Sequence, residues 1–320
     1  MNLHKGQHIK QTVKVFAPAT VANLVCGFDI LGLALEHPQD EMIVSLSGQT
    51  GIRIEHLDAY DLPTEPEKNV AGAALLAMME EYHEPVGFEV SIQKMIKPGS
   101  GLGSSAASSV GAVVGANYLL GNPFSKDDLV RFAMFGEKVA SGVKHADNIA
   151  PGIFGGVTLI RSIFPLDIVP VPAPQLFITV VHPQIEVKTA DARQILRKEV
   201  LLKNAIKQWG NIAGLMAGLM KGDYDLIGRS LEDVIIEPVR SILIPGFDEV
   251  KKQSISVGAL GGGISGSGPS IFMLSKGQAA ARAVEEVMID VYQRLGVEYK
   301  TYVTNLNHQG AIVEPYKIIE

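Results

Sequence analysis

A run of small residues, K-P-G-S-G-L-G-S-S-A-A at 97–107, constrains the fold of this chain more than any other segment. Its glycines let the backbone come within hydrogen-bond distance of a bulky anion, because no Cβ stands in the way. The residues at 104–107 then begin a predicted helix, whose free N–H groups and positive dipole end attract phosphate. The hydroxyls of Ser104 and Ser105 can add a phosphate contact or an oxygen ligand for Mg²⁺. The segment therefore predicts a loop that binds the phosphates of a nucleotide.

Other glycine-rich loops fit the segment less well. A P-loop ends in Gly-Lys-Ser/Thr, a tripeptide that this sequence lacks. Gly101, Gly103 and Ala106 satisfy the dinucleotide pattern G-x-G-x-x-A, which needs an acid about 20 residues later at the end of a second strand. The acids found there, Asp127 and Asp128, lie at a predicted helix start instead. The remaining alternative is a turn of small residues that is packed closely for steric reasons alone.

Three more segments, together with this loop, carry a resemblance to a known family. They read A-P-A-T-V-A-N-L-V-C-G-F-D-I-L-G-L-A-L at 17–35, S-G-V-K-H-A-D-N-I-A-P-G-I-F-G-G at 141–156 and G-G-G-I-S-G-S-G-P-S-I-F at 261–272. Together with the loop at 97–107 they resemble the GHMP kinases, and the first two resemble the homoserine kinases among them. The resemblance spans nearly the whole chain. It implies transfer of phosphate from ATP, with Mg²⁺, to the hydroxyl of L-homoserine, which gives O-phospho-L-homoserine in threonine biosynthesis.

The fold class implied by the resemblance is α+β, in the two-domain GHMP kinase fold. An N-terminal α/β nucleotide-binding domain is expected at 1–170 and a C-terminal ferredoxin-like domain at 171–320. The boundary is placed at P-L-D-I-V-P-V-P-A-P, 165–174, because prolines at this density allow an edge strand or a linker but no helix. Beyond it, the predicted element order β-α-β-β-α-β is the ferredoxin-like pattern.

Hydrophobic periodicity and cap residues place the elements. Strands are predicted at 11–16, 41–46, 88–92, 176–181 and 299–303, and two more on either side of the glycine loop 261–268. Helices are predicted at 69–82 with Asn69 as the N-cap, from 104 to about 120, from Ser125 to about 140, and at 278–295. A helix at 200–220 carries an apolar stripe that is interpreted as core: Leu202, Ile206, Trp209, Ala213, Met216 and Met220.

Composition narrows the class of partners. The net charge is −6 and no basic run occurs, which argues against a nucleic-acid-binding protein. No apolar stretch approaches the roughly 18 residues of a membrane span, and no secretory leader is visible. The single cysteine, Cys26, excludes an internal disulfide and favours a cytoplasmic location, where it is expected to be a small buried side chain. The resemblance adds a homodimer as the expected assembly.

The resemblance also assigns residues to the nucleotide. Ser105 and Glu137 are expected to hold Mg²⁺, although a carboxylate such as Glu137 on a helix is also compatible with a solvated surface position. The resemblance also assigns Asn69 to the binding of adenine. The expected phosphate-binding residues are Lys97, Pro98, Gly99, Ser100, Gly101, Leu102, Gly103, Ser104, Ser105, Ala106 and Ala107.

The residues expected to bind homoserine, which accepts the phosphate, are those whose chemistry suits the charged groups and the hydroxyl of a free amino acid. Asn23 and Asp29 suit an ammonium and a hydroxyl, or alternatively form an Asx-turn and a strand start. Arg193 and Arg240 match family positions that bind a carboxylate, since a guanidinium is its natural bidentate partner. His145 is expected to hydrogen-bond the substrate, and a metal interpretation is weak because a second His/Cys pair is missing.

Three further residues are placed near the reacting groups by the resemblance: Asp147, Asn148 and Thr189. Whether Asp147 removes the hydroxyl proton or only supports its loop stays open, because phosphoryl transfer with a loose transition state needs little deprotonation. Val25 and Cys26 depart from the family, which usually has Gly and often Pro there. The alternatives to a homoserine kinase are another GHMP kinase, acting on mevalonate or a sugar, and a non-catalytic ligand-binding member of the fold.

Overall fold

The structure is a computed structural model that describes residues 11–187 and 189–316, and of 189–191 it describes the backbone alone. Its first sheet has seven strands in the order β11-β1-β2-β4-β3, with β5 paired to β2 and β6 paired to β5. The strands of this sheet are β1 (Thr12–Ala22), β2 (Leu31–Leu46), β3 (Gly51–His56), β4 (Gly87–Gln93), β5 (Val157–Ile163), β6 (Leu166–Val171) and β11 (Ile312–Pro315). All pairs are antiparallel except β3 with β4.

Four helices cover one face of this sheet: α1 (Val70–Tyr82), α2 (Ser104–Leu119), α3 (Lys126–Ser141) and α4 (Ile149–Phe154). The predicted N-caps are confirmed. Asn69 accepts hydrogen bonds from two amides of α1, and Ser125 forms a capping box with Asp128 at α3. Alternating residues of β2 and β4, such as Met42 and Phe88, bury against these helices and form the first core.

The second sheet has the order β10-β7-β9-β8, with every pair antiparallel. Its strands are β7 (Phe177–Pro183), β8 (Gly261–Ile264), β9 (Ile271–Ser275) and β10 (Tyr299–Asn305). The helices of this half are α5 (Thr189–Gln194), α6 (Leu202–Lys221), α7 (Tyr224–Ser230), α8 (Glu237–Arg240), α9 (Phe247–Ser256) and α10 (Gln278–Leu295). The predicted β-α-β-β-α-β pattern, with extra helices in the first crossover, is confirmed.

One prediction about the second half was wrong in detail. The strand expected before the glycine loop is made by the glycines themselves, since Gly261–Ile264 is β8. A Cβ on Gly262 would lie 2.0 Å from the carbonyl oxygen of Phe272, so only glycine fits this close strand pairing. After the second sheet the chain returns to the first one, where β11 pairs with β1.

The apolar stripe on α6 was wrongly interpreted as core. Leu202, Ile206, Trp209, Ala213 and Met220 are exposed, and only Met216 of the stripe packs against the core. The helix instead buries Leu215, Gly218 and Leu219, and it buries Gln208, which donates to the carbonyl of Cys26 and to Asp233. The helix has apolar residues on two faces, and periodicity alone does not tell which of them packs. Among the helices that the structure describes, none combines the length and the apolar character needed to cross a bilayer.

Candidate active site

A cleft of about 440 Å³ opens between the two halves of the molecule. Its walls come from four segments that the sequence singled out: the loop at 97–105, the loop at 23–29, the H-A-D-N turn and the glycine loop at 266–267. Glu137 from α3 and the two arginines Arg193 and Arg240 also line the cleft, together with Leu62, Pro63, Lys68, Val70 and residues 139–141. The topology thus brings together residues that lie up to 240 positions apart in the sequence.

The phosphate-binding loop predicted at 97–103 has the backbone geometry that glycine favours. Gly99, Gly101 and Gly103 have φ values of 75°, 79° and 67°, in the left-handed region. A Cβ on Gly101 would lie 2.6 Å from the carbonyl oxygens of Gly268 and Ser265, which leaves no space for any side chain. The glycines therefore serve both the turn and its close packing against the second half.

The C-terminal glycine loop supports the phosphate-binding loop from behind. Ser265 Oγ donates to the carbonyl of Gly101 at 2.7 Å, and Ser270 Oγ donates to the carbonyl of Ser100 at 2.6 Å. These two hydrogen bonds join the loop at 261–270 to the loop at 97–103. Because both loops belong to different halves, their contact also fixes the width of the cleft.

The first turn of α2 presents its amides to the cleft. Its N-cap is Gly103, which offers no side chain to satisfy them. The Ser104 hydroxyl donates instead to the carbonyl of Ile96 at 2.8 Å, so Ser104 faces the cleft with its backbone rather than with the hydroxyl that the sequence favoured. An uncapped helix start at a glycine loop is suited to an anion.

A buried ion pair, which sequence analysis missed, lies beneath this helix start. Lys94 Nζ contacts Asp40 and donates to the carbonyl of Ser104 at 2.7 Å and to Ser108 Oγ at 2.9 Å. The amides of Met95 and Ile96 donate to the Asp40 carboxylate. Both charged side chains are fully buried. They anchor α2 to the segment that enters the phosphate-binding loop. The feature of the sequence that could have indicated this pair is a lysine at the end of an apolar strand.

Ser105 and Glu137 meet at the cleft as predicted. Ser105 Oγ donates to Glu137 Oε1 at 2.5 Å. Glu137 is buried, not solvated, and burial raises its pKa against the lowering effect of the Ser105 hydrogen bond. No lysine, arginine or histidine of the described residues forms an ion pair with it. A buried carboxylate beside a hydroxyl and an anion-binding loop fits Mg²⁺, which takes one or two carboxylates together with phosphate oxygens.

Asp29, Arg193 and His145 form a second polar group that lines the cleft. Arg193 Nη2 lies 2.7 and 3.0 Å from the two carboxylate oxygens of Asp29. His145 Nδ1 lies 3.8 Å from Asp29 and 3.4 Å from Arg193, while its Nε2 has no hydrogen-bond partner in the structure. Burial lowers the pKa of His145, and the Arg193 charge lowers it further. The imidazole is therefore neutral at pH 7.

Arg240 is a buried guanidinium without a carboxylate partner among the described residues. Its Nε donates to the carbonyl of Ala192 at 2.9 Å and its Nη1 to the carbonyl of Gly266 at 3.2 Å. Burial and the Arg193 charge lower its pKa to about 10. Phe28 lies under both guanidiniums, 4.9 Å from Arg240 and 5.6 Å from Arg193. Sequence analysis missed Phe28, although it stands between two residues of the N-terminal motif.

Asn23 holds the loop at 23–29 together. Its Oδ1 accepts from the amide of Asp29 at 3.0 Å and its Nδ2 donates to the carbonyl of Gly266 at 2.9 Å. Asn23, Leu24, Val25 and Asp29 all have positive φ values. Val25 is thus left-handed where the family usually has glycine, a conformation that costs a branched residue about 1–2 kcal/mol. The loop therefore holds Val25 in a strained backbone conformation.

The H-A-D-N turn contributes Asp147 and Asn148. Asn148 Oδ1 accepts from Thr20 Oγ1 at 2.8 Å, which ties the turn to the strand behind the phosphate-binding loop. Asp147 is buried, and burial raises its pKa to about 7, with further raising from Asp29 and Glu137. Both residues line the cleft. Thr189 belongs to α5, but its side chain lies outside the described residues.

Several predicted contacts are not made by side chains at the cleft. Lys97 Nζ donates to Gln184 Oε1 at 2.8 Å, toward the second sheet. The Asn69 side chain accepts from the amide of Ala71 as a helix cap and donates to the carbonyl of Pro63, and it does not line the cleft. The remaining members of the predicted set are packed in the interior: Ser100, Leu102, Ala106 and Ala107. Pro98, Gly99, Gly101, Gly103, Ser104 and Ser105 do line it.

Comparison with known proteins agrees with this geometry. The model of the GHMP kinases N terminal domain matches residues 69–156, and that of GHMP kinases C terminal matches residues 215–294. A homoserine kinase of Chlorobium phaeovibrioides is 46% identical over 316 residues, which cover 94% of this chain and 99% of the relative. This chain belongs to the homoserine kinases, within the GHMP kinases.

Solved structures of the family agree. The homoserine kinase from Cytophaga hutchinsonii superposes with a TM-score of 0.92 at 48% identity and covers 98% of this chain and 100% of that one. A mevalonate kinase of L. major has a TM-score of 0.70 at 15% identity, a likeness of fold alone. The predicted two-domain GHMP kinase fold is thereby confirmed, and the cleft described above is the candidate active site of a homoserine kinase family member.

Proposed function

We propose that this chain transfers the γ-phosphoryl group of ATP to the hydroxyl of L-homoserine and forms O-phospho-L-homoserine, a step of threonine biosynthesis. One observation carries the proposal: an uncapped helix start at a glycine loop, a buried arginine without a carboxylate partner among the described residues and the carboxylate of Asp29 all line one cleft. The first suits a nucleotide phosphate. The arginine and the carboxylate together suit the two charges of a free amino acid.

The acceptor is bound by its charged end. The carboxylate of homoserine pairs with Arg240, whose guanidinium is buried and lacks an anionic partner among the described residues. The ammonium is placed against Asp29, which Arg193 orients. His145 offers its free Nε2 nearby. These contacts would leave the hydroxyl, two carbons beyond the amino-bearing carbon, directed toward the phosphate-binding loop. Asn23 fixes the loop that carries Asp29 and makes no direct contact in this proposal.

The phosphates are bound by backbone amides at Gly101–Ser105 and the dipole of α2. Ser105 and Glu137 would hold Mg²⁺, which neutralises charge on the β- and γ-phosphates when bound. Phosphoryl transfer demands position more than proton abstraction, so we assign Asp147 to the support of its turn. Asn148 and Thr189 remain candidates for contacts with the reacting groups. The nucleoside is placed against Leu62, Pro63 and Val70, which line the apolar end of the cleft.

The proposal is tested by ADP release from ATP and Mg²⁺ in the presence of L-homoserine, D-homoserine, L-threonine, L-serine, mevalonate or galactose. Turnover with L-homoserine above all others is expected, because the amino acid charges and the hydroxyl position must fit together. Turnover with mevalonate or galactose alone would support another GHMP kinase. Mg²⁺-independent ATP binding with no turnover on any acceptor would indicate a non-catalytic ligand-binding protein.

We also propose a cytoplasmic location, supported by the single buried Cys26, which fits a reducing compartment. A homodimer is the proposed assembly, since twofold dimers are the commonest symmetric state of soluble oligomers. No role in binding nucleic acid is proposed, given the net charge of −6.

Asp147 makes stability depend on pH in a defined direction. Its pKa is 3.8 in an ordinary setting and about 7 in the folded chain, so the folded state binds its proton more tightly. The contribution of Asp147 to the free energy of unfolding is fully present below about pH 4 and is lost as the pH rises toward 7. We expect Asp147→Asn, which does not titrate, to gain on wild type by about 1.4 kcal/mol per pH unit across that window. Urea unfolding of both proteins without Mg²⁺, from pH 4.5 to 8, measures the difference; a constant gap would contradict it.

A further inference from the structure

One face of α6 carries large apolar side chains that lie in solvent. We define the α6 stripe as Leu202, Ile206, Trp209, Ala213, Met216 and Met220, of which Met216 is partly buried against the chain's own core. Leu202 is 67% exposed, Ile206 56%, Trp209 59% and Met220 65%. Val200 and Leu201, just before the helix, are exposed as well and extend the stripe. A contiguous set of this size on one helix is unusual for the free surface of a monomer.

The spacing within the α6 stripe is that of helices that pair along their length. Successive members are 4, 3, 4, 3 and 4 residues apart, which is the a/d spacing of a coiled-coil seam. The charged residues of α6 are Lys203, Lys207 and Lys221, and none of them belongs to the stripe. Lys207 is engaged with Glu232 on the chain's own surface. The stripe therefore offers a helix partner an uncharged seam about two and a half heptads long.

The exposed area is what a stable dimer needs. The solvent-exposed parts of the stripe and its extension amount to roughly 700 Å² per copy, close to the about 800 Å² that each partner gives to a standard interface. A twofold interface uses the same patch on both copies, so the patch must be complementary to itself. A straight apolar seam on a helix meets that condition without any charge pairing.

We propose that the α6 stripe of one copy packs against the α6 stripe of a second copy, with the two helices antiparallel about a twofold axis near Asn211. The proposal rests on the homodimer proposed above and names its interface. Antiparallel pairing sets Trp209 against the partner's Ala213 and Leu202 against the partner's Met220. The bulky indole thus meets the smallest side chain of the seam, whereas parallel pairing would set two indoles against each other.

The test is the association state of the full chain, measured by sedimentation equilibrium. Ala213→Glu is the main variant, because Ala213 is exposed in the single copy and its side chain can be charged without loss of a core contact. Two carboxylates beside the axis are expected to weaken the dimer by about 100-fold or more. Ile206→Glu is a second variant of the same seam. Ile255→Glu is the control, since Ile255 is exposed on α9, which packs on the opposite face of the second sheet.

Trp209 gives an independent readout, since it is the single tryptophan of the chain. Its emission is expected to shift to longer wavelength on dilution of wild type and to be shifted already in Ala213→Glu. If wild type and Ile255→Glu are dimers while both stripe variants are monomers with unchanged far-UV circular dichroism, the interface is supported. If the stripe variants stay dimeric, the interface is wrong and the homodimer stands.

A wild type that stays monomeric at about 100 µM, a concentration at which standard interfaces are saturated, would overturn both the interface and the homodimer. Phosphorylation of L-homoserine is scored separately on the same samples. The stripe lies outside the cleft, so the proposed reaction stands or falls on its own assay.

Discussion

Glu137→Gln is expected to lower kcat by about a thousandfold, because a metal-held phosphate charge is worth several kcal/mol and about 1.4 kcal/mol is a factor of ten. Glu137 is the buried carboxylate that meets Ser105 at the phosphate-binding loop. A glutamine keeps the shape and the hydrogen bond with Ser105 but removes the negative charge that would hold Mg²⁺. Steady-state kinetics with L-homoserine at several Mg²⁺ concentrations measure the effect, which should include a higher Mg²⁺ requirement.

The same substitution separates function from stability. Burial raises the pKa of Glu137, so its charge is unfavourable in the folded chain and Glu137→Gln should unfold at the same or a higher urea concentration. Asp127→Asn is the matched control, an exposed carboxylate on the same helix, and should leave kcat unchanged. A kcat of Glu137→Gln within tenfold of wild type would remove Glu137 from the proposed metal site.

Arg240→Ala is expected to raise the KM for L-homoserine by about 100-fold or more, while the KM for ATP stays within about threefold. Truncating one partner of a buried, hydrogen-bonded charge pair costs about 2–5 kcal/mol, and the partner here is the carboxylate of the substrate. Arg240→Lys should recover part of the loss, since it restores charge but not the bidentate geometry. Initial rates against L-homoserine and ATP, each varied at saturating concentrations of the other, give the values.

An acceptor without a carboxylate makes this test specific. With 3-aminopropan-1-ol, which has the ammonium and the hydroxyl alone, Arg240→Ala should differ little from wild type. Arg229→Ala, an exposed arginine on α7, is the control for loss of a positive charge. Equal losses on both acceptors would show that Arg240 acts through the structure of the site, and an unaltered KM would place it outside the site.

Much of the fold follows from local rules that the sequence displays. Asn69 and Ser125 predicted the starts of α1 and α3, since a cap satisfies amides within three residues of itself. The small residues at 97–107 predicted a glycine turn and an uncapped helix, and Gly101 and Gly103 adopt the required conformations. The four motifs predicted which segments form the cleft. Each of these predictions depends on atoms that lie close together in the chain.

Other features required the packed molecule. The sequence favoured the hydroxyl of Ser104 as a phosphate contact, but the carbonyl of Ile96 takes it, so a short-range hydrogen bond outcompetes the cleft. The pairing of Asp29 with Arg193 joins residues 164 positions apart. The ring of Phe28 lies under the guanidiniums of Arg193 and Arg240, which come from distant parts of the chain. Such contacts depend on which segments the two sheets bring together, which no local rule encodes.

By itself the sequence determined the glycine turn at 97–103, the order of strands and helices that form the second sheet, and the chemical types gathered at the cleft. Helix caps, glycine conformations and hydrophobic periods depend on residues that lie close together in the sequence, so they do not depend on how the other segments of the chain are arranged. The tertiary structure decided which face of α6 is buried, that Gly261–Ile264 forms a strand, and that β11 returns to the first sheet. These outcomes depend on free energies of packing between distant segments, because an apolar face gains stability only from the surface it meets.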